Sequence, residues 1–329
     1  MSLTINHQTN DISNATGTIL VNGVAVGGDN SPPAFLGSRS VFVGGSQSVG
    51  GNATNSNIID YITIANTSNA TDFGDLTNAR DSLAGLSNGT RGVIAGGFIS
   101  NQPQNIIDYI TIATTGNATD FGDMTQTAGQ VSGASGVTRG LMAGGAYDHN
   151  ASDVIGYITI ATTGNATDFG DLTVARNHSA TCVSKTRAVF CTGKGNSFAT
   201  SNVMDYITVD TTGNATDFGD TTANYYGGSG TTDGDRGVIG AIENSDGNDT
   251  NIMEYITIAT TGNATDFGDL VAVGKRGASG NGDSTYGILV GVYIYTTTIN
   301  RITIQTTGNA TDFGDLSVGR NRIAGFSGT

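Results

Sequence analysis

The strongest constraint on this chain is a seven-residue segment that recurs without change. Asn-Ala-Thr-Asp-Phe-Gly-Asp begins at Asn69, Asn117, Asn165, Asn214, Asn263 and Asn309, at spacings of 48, 48, 49, 49 and 46 residues. A fixed period of this size indicates a repeat architecture, in which each unit buries its apolar faces on its neighbours. The function therefore has to be argued from how the repeats assemble.

The composition predicts an all-β protein. Gly accounts for 50 of 329 residues, roughly twice its usual share, whereas Pro occurs only 3 times. Runs of Ile, Val, Thr and Tyr alternate with Gly, Asn and Asp, a pattern typical of short strands joined by tight turns. Since no stretch sustains a 3.6-residue apolar period, we expect helices to be nearly absent.

Each repeat contains four candidate strands, which we call A, B, C and D. In the second complete copy they span residues 82–87, 91–97, 108–114 and 118–125. Strand D carries the Phe of the heptad, the largest apolar group of the unit. We expect this Phe to pack between neighbouring sheets, where its burial contributes about 1.5–3 kcal/mol. The Asp and Gly beside it then serve a turn or a bulge.

The two ends of the repeat region complement each other. Residues 320–328 match strand A with no strand B after them, and residues 39–45 match strand B with no strand A before them. The C-terminal strand should therefore join the first sheet and remove the exposed ends of the array. The prediction is a six-bladed β-propeller of four-stranded blades, closed by the C-terminal strand.

The first 36 residues stand outside the period. Residues 18–26 read as a hairpin, because Asn22-Gly23 suits a two-residue type I′ turn. An isolated two-stranded hairpin is marginal in water, so it should pack on the domain, on a copy of itself or on another protein. We therefore divide the chain into an N-terminal arm, residues 1–36, and a propeller, residues 37–329.

Charge and targeting signals narrow the function classes. The net charge is −14, and apart from Glu243 and Glu254 the acidic residues are Asp, which also form turns. A negative surface argues against nucleic acid and anionic membranes as partners. Without a signal peptide or a long apolar run, we expect a chain made in the cytoplasm and not inserted in a membrane. Cys182 and Cys191 are expected to form a reduced pair rather than a disulfide.

The repeat resembles kelch. A Gly pair ends strand B, a Tyr begins strand C and an aromatic residue follows in strand D, as in Gly96-Gly97, Tyr109 and Phe121. The resemblance covers residues 37–329 and implies a propeller. Phe replaces the usual Trp, and later copies lose the Gly pair. Asp-Phe-Gly-Asp is also similar to the Asp-box of sialidase-type propellers, a structural turn that implies no sialidase activity.

The N-terminal segment, residues 1–30, resembles the repetitive β segments near the start of phage tail-fibre and other virion proteins. That resemblance implies a non-enzymatic virion structural protein, made in the host cytoplasm, which contacts other virion subunits through residues 1–36. The propeller would then bind proteins or a host-surface glycan. Alternatives are a bacterial surface or scaffold propeller and a carbohydrate-active propeller enzyme. Two Glu and three His support the enzyme poorly.

The loops between strands B and C hold the candidate binding site. They span residues 46–60, 98–108, 146–156, 194–205, 243–254 and 293–300, with unrelated sequences. Variable loops on a rigid scaffold usually carry binding. The candidate contacts are aromatic or imidazole side chains, the last two on a D–A link: Tyr147, His149, Phe198, Tyr293, Tyr295, Tyr225 and Tyr226. The alternative is that they plug the mouth of the ring or pack locally.

Basic residues fall near the same face: Arg80, Arg176, Lys275, Arg276, Arg320 and Arg322. A basic ring suits carboxylated sugars, but structural pairing with nearby Asp is the favoured interpretation. Pairs such as Asp72 and Asp75 offer too few carboxylates for a convincing Ca²⁺ site. The three His are dispersed, so we predict no metal and no cofactor.

Overall fold

The computed structural model describes residues 33, 35–147, 150–196, 199–248, 250–274, 279–290 and 295–329, and the backbone of four short strands before them. The chain divides into two compact units, residues 1–32 and 33–329. The described residues are all-β, as predicted, and contain no α-helix. No helix among them is long and apolar enough to cross a membrane.

The smaller unit consists of two antiparallel hairpins. Ile19–Val21 pairs with Val24–Val26, and Val21 lies opposite Val24. This is the predicted hairpin, although its Asn22-Gly23 turn lies outside the described residues. A second hairpin, Thr4–Asn6 with Asp11–Ser13, was not predicted.

The described part of the larger unit contains six antiparallel sheets with the strand order A-B-C-D. Sheet 1 consists of Ala324–Gly328, Arg39–Val43, Ile58–Thr63 and Thr71–Asp75. Sheet 2 consists of Ala84–Ser87, Arg91–Ala95, Ile106–Thr111 and Thr119–Asp123. Sheet 3 consists of Ser132–Ser135, Arg139–Ala143, Val154–Thr159 and Thr167–Asp171. Sheets 4 to 6 follow the same plan.

Sheet 4 consists of Ala180–Val183, Arg187–Cys191, Ser201–Thr208 and Thr216–Tyr226, with Glu243–Asn244 added beside strand D. Sheet 5 consists of Ser229–Thr232, Arg236–Gly240, Thr250–Thr257 and Thr265–Gly274. Sheet 6 consists of Ser279–Gly282, Tyr286–Val290, Thr298–Thr303 and Thr311–Asp315. Shorter strands in the loops after strand B are Ser46–Val49, Asn52–Asn55, Phe98–Ile99, Gln102–Pro103, Ala146–Tyr147 and Asn150–Ala151; Arg320–Asn321 pairs with the first of them.

Sheet 1 joins the two ends of the larger unit. Its strand A, Ala324–Gly328, runs antiparallel to Arg39–Val43, with Ala324 opposite Val43 and Gly328 opposite Arg39. The predicted pairing of the C-terminal segment with the first strand B is therefore present.

The apolar core lies between consecutive sheets. Each buried cluster combines side chains of two neighbours; Leu86 and Phe121 of sheet 2, for example, share a cluster with Ile158 of sheet 3. The last sheet packs on the first in the same way, since Phe313 shares a cluster with Phe42. All six heptad Phe side chains are buried, as predicted: Phe73, Phe121, Phe169, Phe218, Phe267 and Phe313.

The heptad Phe-Gly pair forms a β-bulge in every sheet. In sheet 2, Ile107 lies opposite Gly122 and Asp108 opposite Asp120, so Phe121 is the extra residue of strand D. Gly122 has a φ of 146°, and a Cβ there would lie 2.6 Å from the backbone of Gly164, the residue just before the next heptad. Only Gly permits this approach.

The heptads also bond to one another in a chain that we call the heptad belt. In each copy the Asn side chain accepts a hydrogen bond from the last Asp backbone N–H of the preceding heptad, at 3.0–3.1 Å. The Ala backbone N–H donates to the carbonyl of the same Asp, as from Ala118 to Asp75. The last heptad is bonded to the first, because Asp315 N–H donates to Asn69 Oδ1. The invariant residues are thus inter-sheet contacts.

A stacked Arg–Tyr–Phe set accompanies each heptad. In sheet 2 the Arg91 guanidinium lies 4.5 Å from the Tyr109 ring centre, and that ring meets Phe121 edge-on. The guanidinium also donates to the carbonyl of Ile160 in sheet 3. In sheet 6 the two positions are exchanged: Tyr286 stands where the other sheets have Arg, and Arg301 stands where they have Tyr. Arg301 still stacks on Tyr286 at 4.8 Å.

The two cysteines lie on neighbouring strands of sheet 4 and are buried and free. Cys191 is opposite Ala180, and Cys182 is opposite Val189, so the two thiols are offset along the hairpin. Burial raises the pKa of the Cys191 thiol well above its ordinary value.

Candidate functional site

The B–C loops and the D–A links lie on one face of the larger unit. Single β-bridges join them, pairing Asp81 with Phe98, Gly129 with Ala146 and Asn177 with Lys194. The A–B turns lie at the other end of the same strands. We call the first face the loop face.

A cavity of about 100 Å³, the polar cup, lies among the strand A segments and includes the residues with which they begin on the loop face. A ring formed by Gly85, Gly133, Thr181, Gly230, Gly280 and Gly325 lines both this cavity and a second one of about 60 Å³. At Gly133 an added Cβ would lie 2.4 Å from the Gly85 carbonyl oxygen. The second cavity is also lined by Phe35 and Leu36, which come just before the first strand B and so lie toward the A–B turns. The polar cup is therefore the cavity associated with the loop face.

Four residues at the mouth of the cup, which we call the rim residues, have left-handed backbone conformations. Ser82, Gln130, His178 and Arg322 have φ values of 58°, 58°, 54° and 54°. Equivalent Gly227 has a φ of 68°, and equivalent Gly277 lies outside the described residues. A left-handed conformation at a residue other than Gly costs about 1 kcal/mol or more, and such residues cluster at functional sites.

Backbone hydrogen bonds hold the rim residues in sequence. Ser82 N–H donates to the Arg322 carbonyl at 2.8 Å, Gln130 N–H to Ser82 at 2.8 Å and His178 N–H to Gln130 at 2.9 Å. The backbone of the rim residues therefore links neighbouring sheets, and these hydrogen bonds do not involve the side chains.

Among the described rim residues, Arg322 carries a positive charge that no close ion pair neutralises. Its side chain is 39% exposed, and Nη1 lies 3.9 Å from Asp81 Oδ2, beyond hydrogen-bonding distance. Burial raises the pKa of Asp81, which Arg322 opposes, and Asn55 donates to this carboxylate at 3.0 Å. Ser82 Oγ is near the same carboxylate but is buried with no group in hydrogen-bonding geometry.

The other described arginines of the D–A links have a structural role. Arg80 pairs with Asp108 at 2.6 Å and Arg320 with Asp60 at 2.5 Å, and Arg176 pairs with Asp205; all six side chains are fully buried. Each guanidinium also donates to backbone carbonyls, as Arg80 does to Gly96. Burial lowers the pKa of all three arginines, and the Asp charges oppose this shift. The favoured structural interpretation is therefore confirmed for these three; Lys275 and Arg276 lie outside the described residues.

The ion pair is replaced as a unit in sheet 3. Ala128 and Gly156 occupy the Arg and Asp positions, and the Gln126 side chain donates to the Gly144 carbonyl at 3.3 Å. In sheet 5 the buried Glu254 replaces Asp and is bonded by the Tyr225 hydroxyl at 3.1 Å and by Thr222. Side chains at these two positions change together within one chain.

The predicted aromatic contacts occupy different environments. Tyr147 is 59% exposed on the loop face, and Tyr295 is half-buried. Tyr225 and Tyr226 are buried, so little of either ring is available to a ligand. Tyr226 meets His178 edge-on at 5.3 Å, and Lys194 Nζ lies 4.4 Å from its ring centre. His149, Phe198 and Tyr293 lie outside the described residues.

Of the rim residues, only Arg322 was predicted from the sequence to lie near the candidate site; the shared repeat position of Ser82, Gln130 and His178 was not recognised. When the repeats are aligned, Ser82, Gln130, His178 and Arg322 share a column with Gly227 and Gly277. Two Gly in a column of otherwise polar residues predict a left-handed backbone. The alignment thus contains the signal for the ring.

Chemically, the cup offers a guanidinium, an imidazole, an amide and hydroxyl groups, which suit recognition of a polar ligand. Within the described ranges, no group of three or more His, Cys, Asp and Glu side chains is arranged to hold a metal ion. Models of known protein families and curated proteins give no match to this sequence.

Proposed function

We propose that the larger unit is a closed six-bladed β-propeller that binds a ligand through its loop face, as part of a non-enzymatic virion structural protein. The architecture is supported by contacts that recur between consecutive sheets and again between sheet 6 and sheet 1. The heptad belt and the buried clusters both include that last junction.

The observation that carries the binding role is the ring of rim residues. Four different polar side chains occupy left-handed backbone positions around a cavity, where Gly would be less strained. Retaining polar side chains there is physically reasonable if they contact a ligand. The unrelated B–C loops, including the exposed Tyr147, lie on the same face and extend the surface.

The virion assignment rests on the N-terminal resemblance. In this proposal the small hairpin unit attaches the protein to other virion subunits, and the loop face binds a host-surface glycan or another protein. Such a role needs a rigid scaffold and a variable face, and it does not require a catalytic group.

The experiment is particle composition. Mass spectrometry of density-purified particles should detect the full chain in a fixed ratio to the other structural subunits. A chain lacking residues 1–32 should fold but remain outside the particles, while Lys185→Gln, a change in an A–B turn, should incorporate normally. A protein that stays in the soluble fraction and is absent from purified particles would overturn the virion role.

A further inference from the structure

We propose that the polar cup binds the carboxylate of a carboxylated sugar, with Arg322 as its charge partner. This inference rests on the proposed binding function and names the ligand class for the loop face. It commits to one source of the carboxylate, a uronic-acid type of sugar, over an acidic peptide.

Two arginines that are two residues apart, Arg320 and Arg322, have different environments. Arg320 is fully buried, paired with Asp60 and bonded to the Gly44 and Ile58 carbonyls. Arg322 is part-exposed and lines the cup, and its one described ion pair is the 3.9 Å approach to Asp81. A guanidinium has five N–H donors in a planar fork that matches a carboxylate. Arg322 therefore has donors to offer a ligand, whereas Arg320 has an assigned structural task.

A hydroxyl group lies in the same wall. Ser82 lines the cup, and its Oγ is buried beside the Asp81 carboxylate, which Arg322 also approaches. The Arg322–Asp81 ion pair at 3.9 Å makes no hydrogen bond, so the Arg322 donors remain for a ligand oxygen in the cup.

The size of the cup and the side chains at its rim suit a sugar acid. A cavity of about 100 Å³ admits a carboxylate with part of a sugar ring, so the remaining hydroxyls would reach the rim. Gln130 and His178 lie there and supply an amide and an imidazole. Mixed donors and acceptors around one guanidinium suit a hydroxylated acid better than a simple anion. The Asp81 carboxylate near Arg322 also disfavours a ligand that offers charge alone.

The left-handed rim allows function to be separated from stability. Replacing Gln130 by Gly removes the side chain and relieves the left-handed backbone, so folding should be retained or improved. A structural role for the Gln130 side chain predicts a loss of stability. A ligand-binding role predicts a loss of affinity alone.

The experiment is calorimetric titration of the full chain with glucuronate, glucose and a short Asp/Glu-rich peptide. We expect glucuronate to bind and glucose to bind at least about tenfold more weakly, because a hydrogen bond to a charged group contributes about 1.5–3 kcal/mol. Arg322→Gln should weaken glucuronate binding by about tenfold or more for the same reason. Lys185→Gln, which removes one positive charge in an A–B turn, is the matched control and should leave binding unchanged.

Gln130→Gly should weaken glucuronate binding while the thermal midpoint stays constant or rises. Equal binding of glucose and glucuronate, full binding by Arg322→Gln, or binding of the peptide without glucuronate would each overturn the inference. These results are independent of particle composition: a chain found in virions whose Arg322 variant still binds glucuronate refutes the cup assignment and leaves the virion role intact.

Discussion

The heptad belt and the rim of the polar cup both join neighbouring sheets, but they constrain the sequence in opposite ways. Both consist of hydrogen bonds between neighbouring sheets: the belt joins all six sheets, and the described rim bonds join sheets 1 to 4. In the belt the Asn side chain is itself the acceptor, and six copies are identical. At the rim the backbone makes the bonds, and the described side chains differ at every polar position.

The comparison separates invariance from function. A repeated side chain that forms the junction cannot change without loss of a bond, so constancy reports assembly. A side chain that stands beside a backbone junction is free to vary without loss of that junction, so its identity is open to selection for binding. The most conspicuous motif of the chain is therefore a poor guide to its ligand.

The largest effect is expected from removing the shared sheet. A chain that lacks residues 316–329 loses strand A of sheet 1 and the buried Leu316, Ile323 and Phe326. At about 1.5–3 kcal/mol for each side chain, the loss approaches the stability of a typical domain. Calorimetry should show no cooperative transition near that of the full chain. Deleting residues 1–32 is the control and should leave the transition of the larger unit in place; a truncated chain that melts like the full one would break the ring model.

A smaller but still severe loss is expected from separating a buried ion pair. Asp108→Ala leaves the Arg80 charge buried without its carboxylate, which costs about 3–5 kcal/mol. Sheet 3 offers the reverse case: Gly156→Asp should destabilise because Ala128 supplies no cation, with Gly156→Ala as the steric control.

Adding Ala128→Arg to Gly156→Asp should recover most of that loss, since the two positions change together in the natural repeats. Urea unfolding measures all these variants. If the double variant is no more stable than Gly156→Asp alone, the two positions are not coupled.

The belt and the rim themselves should differ by about 1–2 kcal/mol and in sign. Asn165→Ala removes the acceptor for the Asp123 backbone N–H and should cost about 0.5–1.5 kcal/mol. Gln130→Gly at the rim should stabilise by up to about 1 kcal/mol, because the backbone bond stays and relief of about 1–2 kcal/mol of left-handed strain exceeds the entropic cost of about 0.5–1 kcal/mol for Gly. Equal losses in both variants would remove the distinction between the two rings.

The smallest effect concerns the exchanged pair in sheet 6. Tyr286→Arg or Arg301→Tyr alone should cost about 0.5–1 kcal/mol through loss of the cation–π contact. The double exchange restores the arrangement of the other five sheets and should return stability to the starting value or above it. A double-mutant cycle in denaturant measures this coupling, and additive single effects would contradict it.

Much of the fold could be predicted from the sequence because the same strand pattern occurs in six repeats. The burial of the heptad Phe and the pairing of the C-terminal segment with residues 39–43 follow from the period and the strand pattern. The Asp and Gly beside the Phe were predicted to serve either a turn or a bulge, and the structure shows a bulge. The candidate site was harder. Aromatic residues such as Tyr225 are apolar enough to favour either a ligand or the core, and their burial depends on a neighbour such as Glu254 that is distant in sequence.

Arg320 and Arg322 show the same limit for charged residues. They are two positions apart in one segment, yet one is fully buried and the other lines a cavity. Which of them is buried depends on whether an Asp such as Asp60 lies across the sheet. In the aligned repeats Arg320 shares a column with Arg80 and Arg176, whereas Arg322 shares one with Ser82, Gln130, His178 and Gly227, so the alignment separates the two arginines.

The hydrogen bonds of the heptad belt also affect how a chain of this kind can change during evolution. Every copy presents the same acceptor Asn to the copy before it and the same donor Asp to the copy after it. The outer junctions are thus interchangeable, and a repeat gained by recombination would arrive with compatible edges. Each transferred repeat would carry its own loop and rim residue, so shuffling of standard cassettes could diversify one face while the rest of the molecule remained constant.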